Sequence, residues 1–273
     1  MHTESPKAEP PKRKRRWIQF SLRSLMMLTL VVGLGMATWL VPLKKRADRQ
    51  KAAVEAILKD GGLVAYDYQH DASGRSIQNA MPPGPAWLRK LLGDDFFTDV
   101  VFAAVKTDTS AEHLDDLPRI QSLHLDKGEI TDAALAHVAG LARLDYLDLS
   151  GATITDDGLV HLERMANLKK LYLDRTKVTD AGLAHLAGLT GLYWLLLDGT
   201  QVSDAGLKNV ERFTALDALH LSFTRVTDAG LKHLEKLTSL TSLQLRNTAI
   251  TGRLRHQTLR PTSRPCSASL PAC

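Results

Sequence analysis

The chain has 273 residues, 44% hydrophobic and 24% charged, with a formal net charge of +5. Residues 1–51 carry twelve Lys/Arg against three Asp/Glu, and residues 252–273 carry four Arg and no acid, which leaves 52–251 at −8. An acidic middle argues against nucleic-acid binding by the domain, and cysteines only at Cys266 and Cys273 leave 52–251 no disulfide framework or cysteine-held metal.

Residues 1–16 are polar and end in Lys12-Arg13-Lys14-Arg15-Arg16, and they are expected to be disordered. Residues 17–43 are expected to form a transmembrane signal anchor. Ser24 to Leu43 is a run of twenty residues without charge, flanked by Arg23 and Lys44. About twenty apolar residues span a bilayer core, and Trp17 and Trp39 stand near the interfaces. A cleaved signal peptide is the alternative, but the small-x-small steps around Gly33, Gly35 and Ala37 lie inside the apolar run, not at its polar end. Both flanks are basic; the N-terminal one is denser, which favours repeats on the extracytoplasmic side.

Residues 44–116 are expected to cap the N-terminal end of a repeat domain. A helix over 44–60 has an apolar face of Ala52, Ala53, Val54, Ala56, Ile57 and Leu58 and stops at Gly61-Gly62. Leu63 to Tyr68 reads as a strand and Trp87 to Leu92 as a short helix stopped by Gly93, with a loop between them to about Pro85. Thr107-Asp108 to His113-Leu114 is a degenerate copy of a later run, Thr-Asp-Ala-Gly-Leu-Ala-His-Leu.

Residues 117–251 repeat. Units begin at Leu117, Leu141, Met165, Leu189, Phe213 and Leu237, each 24 residues after the last. Such a period with Leu-x-x-Leu-x-Leu marks a leucine-rich repeat solenoid. The fold class is therefore α/β, with parallel strands on the concave face and short helices on the convex face. Leu168, Leu171 and Leu173 point inward, the Thr176 hydroxyl can bond turn backbone, Thr179 or Ser203 can cap a helix, and Asp180 or Asp204 suits the first turn. Gly158, Gly182, Gly206 and Gly230 leave room where a helix start meets its neighbour. After Thr251 the pattern breaks, and 252–273 are expected to be a disordered tail that leaves the last leucines uncapped.

The Leu-x-x-Leu-x-Leu-x-x-Thr-x-Val-Thr-Asp-x-Gly-Leu pattern resembles the repeats of bacterial membrane-anchored leucine-rich repeat proteins. It is also similar to those of ribonuclease inhibitor and of F-box substrate receptors, without an F-box here. Ubiquitin-ligase work is therefore not implied, and an enzyme is not expected, because the repeat places Ser, His and Asp at equivalent solvent-facing positions instead of in one convergent cleft.

Strand alternation places three columns on the concave face: Ser122, Tyr146, Lys170, Trp194, Ala218, Ser242; His124, Asp148, Tyr172, Leu196, His220, Gln244; and Asp126, Ser150, Asp174, Asp198, Ser222, Arg246. Exposed aromatics mark binding hot spots. The candidate ligand-binding residues are Tyr146, Asp148, Tyr172, Asp174, Trp194, Leu196 and Asp198, with Tyr193 beside them, an aromatic centre with an acidic margin. The expected partner is a protein or glycan, without cofactor, metal or catalytic residue. The alternative is an envelope scaffold that self-associates through its uncapped end. His137, His161, His185 and His233 recur on the helices as part of the repeat, with no carboxylate set that closes a metal shell around them. His124 with Asp126 or Asp148 is the dyad that an enzyme reading would use.

Overall fold

The structure is a computed structural model that describes residues 22–69, 77, 80–126 and 128–251, without the side chains of 22–25, 28, 32–34, 36 and 37. The expected disordered ends, and residues 17–21 of the expected anchor, lie outside the described residues. Two compact units divide the chain, Met1–Leu43 and Lys44–Cys273. In the first, the backbone is helical from Leu22 with Pro42 inside the helix. Among the described residues no helix is long and apolar enough to cross a membrane.

In the second unit that helix, α1 (Leu22–Lys59), continues to Lys59. Its buried stripe is Ala47, Gln50, Ala53, Val54 and Ile57, while Ala52 and Leu58 face solvent. The expected apolar face was thus turned too far, because a polar residue lies on the true one. Gln50 is buried because its Nε2 donates to Thr98 O at 2.9 Å and Asp95 Oδ1 at 3.2 Å. The chain reverses at Gly61, where φ is +74°. A Cβ on Gly62 would meet Ala104 O at 2.5 Å, so the turn lies flat against the sheet.

One eight-stranded sheet runs in chain order. β1 (Leu63–Tyr66) is antiparallel to β2 (Val100–Ala104), and every later pair is parallel: β3 (Ser122–His124), β4 (Tyr146–Asp148), β5 (Lys170–Tyr172), β6 (Trp194–Leu196), β7 (Ala218–His220) and β8 (Ser242–Gln244). The expected strand at 63–68 ends at Tyr66 in a 3-10 turn, and the expected helix at 87–92 is α2 (Ala86–Leu92). From β3 onward each register step is 24 residues, as Ser122↔Tyr146 and Tyr146↔Lys170 show. The strand β2 escaped sequence reading because its partner to Phe102 is Ser122, a step of 20. The degenerate coil has five residues from Phe102 to its cap Thr107, where the next has nine from Ser122 to Thr131, so the period is lost at the strand.

Return segments are α3 (Asp108–Ala111), α4 (Asp132–Val138), α5 (Asp156–Leu159), α6 (Asp180–His185) and α7 (Asp204–Val210), some extended by 3-10 turns. The leucines of strand and helix close between them, with Leu123, Leu147, Leu171, Leu195 and Leu219 fully buried.

The coils are stapled by their aspartates. Thr131, at the cap of α4, gives its N–H to Asp108 Oδ1 at 2.9 Å and its hydroxyl to Asp108 Oδ2 at 2.6 Å. The same pair of bonds joins Thr155 to Asp132, Thr179 to Asp156, Ser203 to Asp180, Thr227 to Asp204 and Thr251 to Asp228. The hydroxyls of Thr131, Thr155, Thr179, Ser203 and Thr227 also accept from the backbone two residues on, as Thr179 Oγ1 does from Ala181 N at 3.2 Å. The aspartate read as a first-turn acid is therefore an intercoil acceptor. It also explains the glycines: a Cβ at Gly158, Gly182, Gly206 or Gly230 would stand 2.3 Å from the Oδ1 of the preceding coil's aspartate. The Thr hydroxyls at 176, 200, 224 and 248 stay within their own coil, donating to the carbonyls of Leu173, Leu197, Leu221 and Leu245.

Gly206→Ala is expected to lower stability by about 1–3 kcal/mol through overpacking. Asp180→Ala should cost about 1–3 kcal/mol through lost charge-assisted bonds. The double variant should lose less than the sum, because the atom that the new methyl strikes is gone. Urea unfolding of the four proteins checks this; strictly additive losses would break the link.

Candidate functional site

Two of the three expected columns lie within the paired strands and stand as the pairing requires. Tyr146, Lys170 and Trp194 are successive partners in one, Asp148, Tyr172 and Leu196 in the next. Because both flanking side chains of each strand point away from the leucine core, these residues are held on the open face of the sheet by backbone pairing, not by loops.

Their rings join across the columns. Phe102 and His124 lie with centroids 5.1 Å apart, His124 stacks on Tyr146 at 4.8 Å, Tyr146 meets Tyr172 edge-on at 5.1 Å, and Tyr172 stacks on Trp194 at 6.4 Å. Tyr193 extends the row, stacked 6.3 Å from Trp194 and 45% exposed. Lys170 Nζ sits 4.4 Å from the centroid of the Trp194 ring, where a cation is attracted by the π face. The row thus crosses five consecutive strands in a zigzag. Sequence reasoning found Tyr146, Tyr172 and Trp194, and missed Phe102 and the roles of His124 and Lys170 in the row. No period could point to Phe102, given the shortened coil.

The acidic margin is less free than expected. Asp148 is only 9% exposed; its Oδ1 accepts from Ser150 N at 2.9 Å and its Oδ2 from the Tyr146 hydroxyl at 3.3 Å. Asp174 Oδ1 accepts from Asp198 N at 2.8 Å, and Asp198 Oδ1 in turn from Ser222 N at 2.5 Å. These side chains are half-committed to joining coils.

Electrostatics reflect that crowding. Burial pushes the Asp174 carboxyl up to about 6, the Asp198 N–H opposes the rise, and the charges of Asp198 and Asp148 add to it. Burial and then Asp148 raise both phenols, that of Tyr172 to about 12. Burial lowers His220, against the pull of Asp198.

On the helical side the repeated histidines each have a carboxylate 22 residues earlier, where one exists. His137 Nδ1 is 3.0 Å from Asp115 and His185 Nδ1 is 2.6 Å from Glu163, while His233 bonds Glu211. Position 139, the equivalent for His161, is alanine. These imidazoles tie neighbouring coils in pairs. The enzyme-style dyad is also loose: His124 Nδ1 lies 3.8 Å from both Asp126 Oδ1 and Asp148 Oδ2, beyond hydrogen-bond range.

Asp174 yields a signed pH prediction. A carboxyl raised on folding binds its proton more tightly in the native state, so its favourable contribution is present below the unfolded value near 3.8 and is lost as pH rises through about 6. Asp174→Asn keeps an Oδ1 acceptor for Asp198 N. It is expected to raise thermal stability at pH 7 relative to pH 4 when compared with the parent. A variant whose pH profile parallels the parent's would contradict this.

A family profile described as Leucine Rich repeat matches residues 144–162, one turn from the strand entry to the return segment. No curated protein matches the chain. Among solved structures, an internalin (inlF) from Listeria monocytogenes is 25% identical with a TM-score of 0.44, over 57% of this chain and 49% of its own length. An internalin C2 from the same organism is 22% identical with a TM-score of 0.41, over 58% of this chain and 81% of its own. The chain spans about half the length of the first of these. With strands in 24-residue register around a leucine-rich interior, and that turn matched by the family profile, the chain is a leucine-rich repeat protein.

Proposed function

We propose that the chain is a binding module that takes a protein ligand on the open, concave face of its sheet, around Tyr146, Tyr172 and Trp194. The observation that carries this is the unbroken row of rings from Phe102 to Trp194. Leu196 adds apolar surface beside Tyr172, and Asp148, Asp174 and Asp198 give the row a negative border that suits a basic ligand surface. Trp194 supplies support of another kind. Its Nε1 is buried without a hydrogen-bond partner among the described residues, a cost of about 1–3 kcal/mol that folding alone does not require. The same flat row of rings suits sugar stacking, so a glycan is the second ligand class.

The anchor belongs to this proposal too. The uncharged run Ser24–Leu43 would hold the module at a membrane, with the repeats extracytoplasmic. Protease added to intact spheroplasts should then digest the repeats; protection until lysis would reverse the topology. The competing reading is a scaffold that self-associates through the last coil, where Leu243 and Leu245 are only partly buried while Leu219 and Leu221 are fully so.

Trp194→Ala and Tyr172→Ala should each weaken capture of ligand from an envelope extract by about thirtyfold, the loss of roughly 2 kcal/mol at a hot spot. Their circular dichroism should match the parent's. Undiminished capture, with the purified chain instead forming larger species as its concentration rises, would favour the scaffold.

A further inference from the structure

His124, Asp126 and Asp148 form a second constellation beside the ring row. Their ligand-capable atoms all lie within 4.8 Å of one another, the one such group among the described residues. His124 Nδ1 is 3.8 Å from Asp126 Oδ1 and 3.8 Å from Asp148 Oδ2. These atoms converge because of register, not chance of rotamer: His124 and Asp148 are direct partners of β3 and β4, and Asp126 lies one pleat beyond His124.

We propose that this group binds a divalent transition-metal cation of the zinc or manganese kind. The donor set is one imidazole nitrogen and two carboxylates. An imidazole disfavours calcium and magnesium, which take oxygen ligands, and favours zinc and its first-row neighbours. Tetrahedral zinc with bonds of about 2.0–2.1 Å holds neighbouring ligand atoms about 3.3 Å apart. Each 3.8 Å gap therefore closes by roughly half an ångström, and the two carboxylates, within 4.8 Å of each other, close by at most about 1.5 Å, shifts within side-chain torsion.

The surroundings suit a cation. The imidazole is held between the Phe102 and Tyr146 rings, which fixes the plane of the ring. Asp148 Oδ2, the oxygen that faces His124 Nδ1, accepts from the Tyr146 hydroxyl, and its Oδ1 accepts from Ser150 N, so the carboxylate is oriented by supporting contacts of the kind ligating carboxylates usually have. Two negative charges offset a doubly charged ion. The three side chains keep 29%, 20% and 12% exposure for His124, Asp126 and Asp148, so an ion enters from the open face. Three protein ligands leave at least one coordination position directed to that face, free for water or a ligand carboxylate. The site stands on its own geometry and holds whether or not the ring row captures a protein.

The test is isothermal titration of the purified full chain with Zn²⁺ and with Mn²⁺, in a Cys266→Ser, Cys273→Ser background that removes the tail thiols. One ion per chain is expected, with at least hundredfold weaker affinity in His124→Gln and in Asp126→Asn. Tyr146→Phe should weaken it less, about tenfold, as a group that only orients Asp148. His185→Gln, on the helical side, should leave it unchanged. All four variants should keep the parent's circular dichroism. Ca²⁺ or Mg²⁺ binding as tightly as Zn²⁺, affinity insensitive to His124→Gln, or no stoichiometric uptake would each overturn the proposal.

Discussion

The carboxylate that reaches from one coil into the cap of the next is the bond on which the rest of this molecule depends. A single coil has a three-residue strand and one or two helical turns, too little to bury its leucines alone. Strand pairing ties one side of each coil to its neighbour. Backbone hydrogen bonds do not tie the other side, since those of a helix stay within its own coil. Asp132, Asp156, Asp180 and Asp204 supply that tie by accepting both an N–H and a hydroxyl from the next coil. The demand on sequence is then specific. The cap must be Thr or Ser, which can donate to the aspartate while accepting from its own helix. The residue two after each aspartate must be small, because the preceding carboxylate lies over it. Thr-Asp-x-Gly is one bond written as four positions.

A frame held on both sides sets what the open face can be. Side chains there inherit the strand spacing, so large rings on adjacent strands meet. They do so diagonally. The row runs Phe102, His124, Tyr146, Tyr172, Trp194, changing column at each strand, because aromatic side chains span the diagonal separation as well as the direct one. Reading columns one at a time captures the members and not the row.

Much of the fold was legible because two periods coincide: alternation along the strand and 24 residues between coils. Where either fails, so does legibility. β2 belongs to a coil four residues shorter before its cap, and no leucine pattern announces it. Gln50 is polar, so no hydrophobic period could place it on the buried stripe; its partners Thr98 and Asp95 lie far along the chain. The aspartates were visible, but a first-turn acid already has a local explanation in the helix dipole, and that explanation concealed the nonlocal one. The histidines were seen as a column. Their carboxylates, 22 residues before, belong to the previous coil's return segment and fall outside the repeat's own alignment.

The acidic margin shows where frame and site compete for the same groups. Asp174 and Asp198 face the row, yet each gives an oxygen to the backbone of the next coil. Their burial is what raises Asp174, and that rise is a loss of stability near neutral pH. Arg175, the next residue, holds a left-handed φ of 56°, as Phe223 and Asn247 do at the same place in later coils, where Gly151 and Gly199 adopt it without strain. Trp194, one coil on, keeps an unmet donor. Two local rules give way in neighbouring coils, at Asp174 and at Trp194, while the staples behind them remain regular. Departures of this kind concentrate where a protein meets something else. Stability conceded there is affordable only because the aspartates on the opposite side hold each coil to the next.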